Sequence, residues 1–220
     1  MIDAFASELG DILWRSLQVS GVVVLVSSLV GIPTGVWLGS ARFRGRPFLS
    51  VLIQTGMALP PVVVGLIVYL LFSRSGPLGG LGWLFTVQAM IIAQVVLTLP
   101  FLVGITMVSV ASIPPELSLQ IRSLGASPWQ TRWTIFREAR SGVALALATA
   151  LGRSFSEVGA VLMVGGNIEQ HTRVLTTAIV LETSRGRFGL ALALGAILMA
   201  LALVANVAIF RLHGRGRPAP

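Results

Sequence analysis

Ser16-Leu17-Gln18-Val19-Ser20-Gly21-Val22-Val23-Val24-Leu25-Val26-Ser27-Ser28-Leu29-Val30-Gly31-Ile32-Pro33-Thr34-Gly35-Val36-Trp37-Leu38 contains no charged side chain. At a rise of about 1.5 Å per residue, a helix of this length crosses a hydrocarbon core of roughly 30 Å. Four more apolar segments follow at 49–72, 87–110, 143–164 and 190–209, and the only charges inside any of them are Arg153 and Glu157. Hydrophobic residues make up 55% of the chain, charged residues 11%, and the mean hydropathy is +0.88. Five such segments leave too little charge to coat a soluble globule. The expectation is an all-α, polytopic membrane protein: one domain over residues 1–220 with five transmembrane helices.

The net charge of +8 is carried by arginine alone, since the chain has no lysine. Arg42, Arg44, Arg46, Arg122, Arg132, Arg137, Arg140, Arg211, Arg215 and Arg217 fall in the first loop, the third loop and the tail. Only Arg15, Arg74, Arg173, Arg185 and Arg187 fall at the N-terminus and in the second and fourth loops. Basic residues concentrate on the cytoplasmic side of membrane proteins, so this alternation places the N-terminus outside and the C-terminus in the cytoplasm. It also accounts for the basic charge without a nucleic-acid partner. Asp3, Glu8 and Asp11 stand where a secretory signal would be basic, so the first segment is expected to be a retained span. Cysteine is absent, which removes disulfides and thiolate metal sites.

Residues 3–15 suggest a short amphipathic lead-in, with Ile12, Leu13 and Trp14 suited to the interface. Pro60-Pro61 in the second segment removes backbone donors and predicts a bend or break, and Pro100 in the third predicts the same. The 73–80 loop is short and turn-forming. The fourth loop, 165–189, holds the apolar piece 174–181, which is too short to span and suits a helix dipping part way into the outer leaflet. No two-halves repeat is visible, which disfavours an inverted-repeat secondary transporter.

The 114–141 stretch predicts two short helices with a glycine hinge. Pro114-Pro115 suits the start of the first, Gly125 its end, and Ser127-Pro128 the start of the second. Leu117, Ile121 and Leu124 form an apolar stripe fit for a groove on another protein.

This stretch resembles the signature loop of bacterial ABC importer permeases, usually Glu-Ala-Ala, three residues, Gly, nine residues, Ile-x-Leu-Pro. Gly125 and Ile135 keep that spacing, and Leu124-Gly125-Ala126-Ser127-Pro128-Trp129 is typical of it. Leu119, Gln120 and Ile121 replace Glu-Ala-Ala, and Arg137-Glu138 replace Leu-Pro, so contacts of the usual glutamate do not carry over. The resemblance implies that Glu116, Leu117, Leu119, Gln120, Ile121, Leu124, Gly125, Ala126 and Ser127 form a cytoplasmic coupling element for a separate ATPase subunit, which would hold ATP-Mg. Residues 58–66, 152–160 and 163–167 resemble the molybdate, sulfate and tungstate permeases, and residues 167–183 are most similar to the tungstate branch. This implies a homodimer of five-span cores around one pathway, with an ATPase inside and an oxyanion-binding protein outside.

Pro60, Pro61, Arg153, Glu157, Asn167, Thr172, Thr176 and Thr177 are the pathway or gating candidates. Arg153 and Glu157, four residues apart, would face each other on one helix side. They either restrain an anion-facing arginine, lock a gating state, or only pack. Asn167 and the three threonines offer donors that hold an oxyanion weakly enough to release it. His171 and Arg173 could attract an incoming dianion from a loop. Gly152, Gly159, Gly165 and Gly166 permit close helix approach. Without lysine no phosphate-cradling Gly-x-x-x-x-Gly-Lys motif exists, and His171 and His213 form no hydrolase triad, so neither an enzyme nor a cofactor is expected in this chain. Proton or sodium coupling would need an unpaired intramembrane carboxylate, and Glu157 has an arginine one turn away.

Overall fold

The computed structural model describes the backbone of residues 2–214 and side chains from 8 to 211. Arg215 and Arg217 lie outside the described residues, as do the side chains of Asp3 and His213. Ten α-helices follow in chain order among the described residues: α1 Ile2–Ser40, α2 Arg46–Met57, α3 Pro61–Phe72, α4 Val87–Ala111, α5 Pro115–Ser123, α6 Pro128–Glu138, α7 Arg140–Ser156, α8 Gly159–Gly165, α9 Leu175–Ser184 and α10 Phe188–Gly214. No strand occurs among the described residues.

Among the described residues, three helices, α1, α4 and α10, are long and apolar enough to cross a membrane alone. The α2–α3 pair, bent by 92°, and the α7–α8 pair, bent by 55°, bring the possible spans to five. The elbow of the first pair lies where the sequence places it. Pro60 is extended at φ −65° and ψ 124°, because a residue before proline is pushed out of the helical region, and Pro61 opens α3 where a missing N–H is harmless.

Three expectations are corrected. The lead-in is not separate: α1 runs unbroken, with Ile12, Ser16, Val19 and Val23 on its buried side. Pro100 does not break α4, and Pro33 does not break α1. Pro100 instead packs on α2, where a Cβ on Gly56 would lie 3.0 Å from its ring. Residues 143–164 are not one helix, since α7 ends at Ser156 and α8 starts at Gly159.

The frame of the bundle is the α1–α4 pair. Added Cβ atoms on Gly31, Gly35 and Gly39 would lie 2.8, 2.7 and 2.7 Å from the Cβ atoms of Leu102, Thr106 and Val110. Both rows advance by four residues, so the helices run parallel, with bare glycine backbone against the side chains of α4. Close approach of this kind gathers many small dispersion contacts where lipid supplies no hydrophobic drive between helices. Half of the α4 span is buried against 11% of the α10 span, so α4 is central and α10 peripheral.

Candidate functional site

At one end of the bundle, α5 and α6 form the pair foreseen for the 114–141 stretch. Gly125 takes φ +84°, a conformation that strains side-chain-bearing residues, and lets the chain turn after Leu124. Its N–H and that of Ala126 close the helix end on the carbonyls of Arg122 and Ile121 at 3.0 and 3.3 Å. Ser127 Oγ accepts the Gln130 N–H at 3.3 Å, while Gln130 Oε1 accepts the Ser127 N–H at 2.8 Å. This reciprocal cap fixes the start of α6. The apolar stripe is turned differently from expectation. Leu117 and Ile121 are half-buried, Leu117 in a groove with Ser109, Glu138 and Gly142, whereas Leu119 and Leu124 are 65% and 88% exposed. Glu116, Gln120 and Ser127 are exposed and Ala126 is half-buried. Of the leucines of α5 and its C-terminal cap, Leu119 and Leu124 are therefore the outward ones.

The two elbows meet. A Cβ on Gly65 would sit 2.8 Å from Ala160 Cα, and one on Gly159 would sit 3.1 Å from a methyl of Val62. Glu157 holds this junction rather than sharing a helix face with Arg153, because it follows the end of α7 at φ −75°, ψ 123°. Its Oε1 accepts the Ala160 N–H at 3.0 Å and its carbonyl accepts the Thr176 hydroxyl at 3.1 Å. Its Oε2 lies 3.6 Å from Arg153 Nη2. Glu157 is 4% exposed and Arg153 27%. The arginine lies over Phe101, 5.8 Å from the ring centre, and its Nε is buried without a partner. Pro60 is exposed beside the junction and Pro61 half-buried.

The 165–173 loop and the first turn of α9 hold the remaining candidates. Thr172 donates to the Gly165 carbonyl at 2.5 Å and accepts the Ile168 N–H at 2.9 Å. Thr177 accepts the Val174 N–H at 3.0 Å and caps α9. Asn167 has φ +50°, and its Oδ1 is buried and unpartnered. Arg173 pairs with Glu8 at 2.8 Å and Glu169 at 3.5 Å, tying the loop to α1, while His171 is exposed. The piece 174–181 forms the cap and most of α9, whose Leu175 and Ala178 are buried against Ile12 and Leu194, so it packs on α1 and α10.

Two features went unremarked in the sequence. One is the Gly31, Gly35, Gly39 row, legible in its spacing of four. The other is a buried polar knot, where Ser154 donates to Gln94 at 2.8 Å beside a cavity of about 10 Å³ shared with Ser16, Ser20 and Thr176. That volume suits about one water molecule. No cluster of three or more metal-ligating side chains forms among the described residues.

Comparison with known proteins gives one consistent result. The family described as binding-protein-dependent transport system inner membrane component matches residues 31–217. A probable anion ABC transporter permease of Haloferax volcanii is 44% identical, over 92% of each chain. The tungstate uptake permease TupB of Peptoclostridium acidaminophilum is 36% identical over 97% of this chain and 93% of its own. A molybdenum permease of Azotobacter vinelandii is 31% identical, over 74% of this chain and 76% of its own. Among solved structures, a methionine ABC transporter in an inward-facing conformation superposes with a TM-score of 0.73 at 21% identity, covering 96% of this chain and 99% of that one. A bacterial alginate ABC transporter superposes with 0.76 at 20% identity, over 93% and 78%.

Proposed function

The chain belongs to the family of binding-protein-dependent transport system inner membrane components, and from that premise we propose that it is the permease subunit of an ABC importer whose cargo is an oxyanion, tungstate before molybdate or sulfate. The observation that carries the cargo is the 36% identity to a tungstate permease over 97% of this chain, against 31% over 74% for a molybdenum permease. ATP-Mg is hydrolysed by a partner ATPase, a binding protein delivers the anion from outside, and a second copy of this chain completes the pathway within the lipid bilayer.

The polarity follows from arginine: the N-terminus is outside and the α5–α6 end is cytoplasmic. On that side the exposed Leu119 and Leu124, flanked by Glu116, Gln120 and the Gly125-Ala126-Ser127 turn, enter a groove of the ATPase. The adjoining elbows at Pro60-Pro61 and Glu157 give this subunit two joints through which such a contact bends the spans. The test is ATP hydrolysis by the complex of this chain, its ATPase and its binding protein in liposomes. Tungstate is expected to stimulate it at lower concentration than molybdate or sulfate, and a stronger response to sulfate would reassign the cargo.

A further inference from the structure

Arg153 is a cation at membrane depth with donors to spare. Its Nε is buried without a partner, its one ionic contact among the described residues is 3.6 Å long, and 27% of its side chain is open. Facing lipid, such a group would be costly to hold. The helix that carries it has a free side unlike that of α10. On α10 the exposed positions Leu192, Met199, Leu203 and Val204 are wholly apolar, as lipid contact requires. On α7, Ser141, Leu145, Thr149, Gly152 and Ser156 fall on one face, none of them buried, and a Cβ on Gly152 would meet nothing within 4 Å. Arg153 stands at the edge of that face.

We propose that Arg153 is the residue that meets the oxyanion in passage, on a water-lined path formed by the free face of α7, and that Glu157 sets how firmly it holds. The proposal rests on the permease reading above and names the contact within it. A guanidinium offers its N–H groups to a tetrahedral oxyanion, as it does to phosphate. An unopposed arginine would retain a dianion. The Glu157 carboxylate, buried and already bonded to Ala160, removes part of that attraction. With two copies around one path, the anion passes one such arginine from each.

The chain has no cysteine, so single cysteines report cleanly. In the reconstituted complex, Thr149→Cys and Leu192→Cys are treated with water-soluble methanethiosulfonates, one anionic and one cationic. Thr149→Cys is expected to react and to favour the anionic reagent, a preference lost on adding Arg153→Gln, while Leu192→Cys stays unreactive. Tungstate uptake is expected to fall about tenfold or more in Arg153→Gln, in the range of a lost charged contact, and less in Arg153→Lys. If Arg153→Gln does not assemble, the reagent preference of Thr149→Cys with Arg153 present decides alone. Wild-type uptake in an assembled Arg153→Gln, or a Thr149→Cys as inert as Leu192→Cys, would overturn the proposal. A wild-type complex that imports no oxyanion would instead remove the permease reading, and this contact with it.

Discussion

Glu157 Oε1 accepts the backbone N–H of Ala160 at 3.0 Å, so the carboxylate that follows α7 also satisfies the first turn of α8. Glutamine can keep that acceptor, and alanine cannot. Glu157→Ala is therefore expected to lower stability by about 1 to 3 kcal/mol, the penalty for leaving a buried donor unmade, and Glu157→Gln by less. Thermal unfolding of the purified protein in detergent separates them. Equal wild-type behaviour of both would mean that the junction does not depend on this bond.

Gly35 and Gly21 sit in the same helix and are expected to answer differently. A Cβ at Gly35 would lie 2.7 Å from Thr106 Cβ and 2.8 Å from the Val103 carbonyl oxygen, whereas at Gly21 it would meet nothing within 4 Å. Gly35→Ala should push α1 from α4 and cost about 1 to 3 kcal/mol, as overpacking does. Gly21→Ala should be neutral. Midpoints of unfolding that do not differ would show that the two helices are less close than described.

At the α5–α6 end, Leu124→Asp and Leu119→Asp place a charge on the two exposed leucines and are expected to abolish co-purification with the ATPase. Gly125→Val strains the φ +84° turn and should keep some binding while losing transport. Gln130→Ala removes one arm of the Ser127 cap and should destabilise α6 by roughly 0.5 to 2 kcal/mol. Full transport by Leu124→Asp would exclude this helix as the coupling element.

How much of this was legible depended on whether the signal was local. Five apolar segments, the Pro60-Pro61 elbow and the Gly125 turn are written in length, ring closure and φ preference, and all three appear in the fold. Pro100 failed as a breaker because loss of one backbone donor does not open a helix held along its length by α1 and α2. The break at Glu157-Val158 had no proline to announce it. Thr172, Thr176 and Thr177 carry hydroxyls that serve a ligand or a backbone equally well in sequence, and only three-dimensional contact assigns them to Gly165, Glu157 and Val174. The direction of the Leu117, Ile121 and Leu124 stripe likewise depends on what lies behind α5.

Orientation is open to direct labelling. Ser75 and Arg132 are exposed on opposite sides of the proposed topology. An impermeant thiol reagent outside intact cells is expected to modify Ser75→Cys and spare Arg132→Cys. The reverse pattern would invert the arrangement.

The central claim is that this chain conducts an oxyanion under the control of a partner ATPase. Its most direct test is uptake into liposomes holding this chain and the ATPase, with binding protein and tungstate added outside and ATP-Mg enclosed. Accumulation that requires all three proteins and ATP, and that molybdate and sulfate compete for only at higher concentration, is the predicted result. Accumulation that persists without ATP, or follows an ion gradient instead, would contradict it.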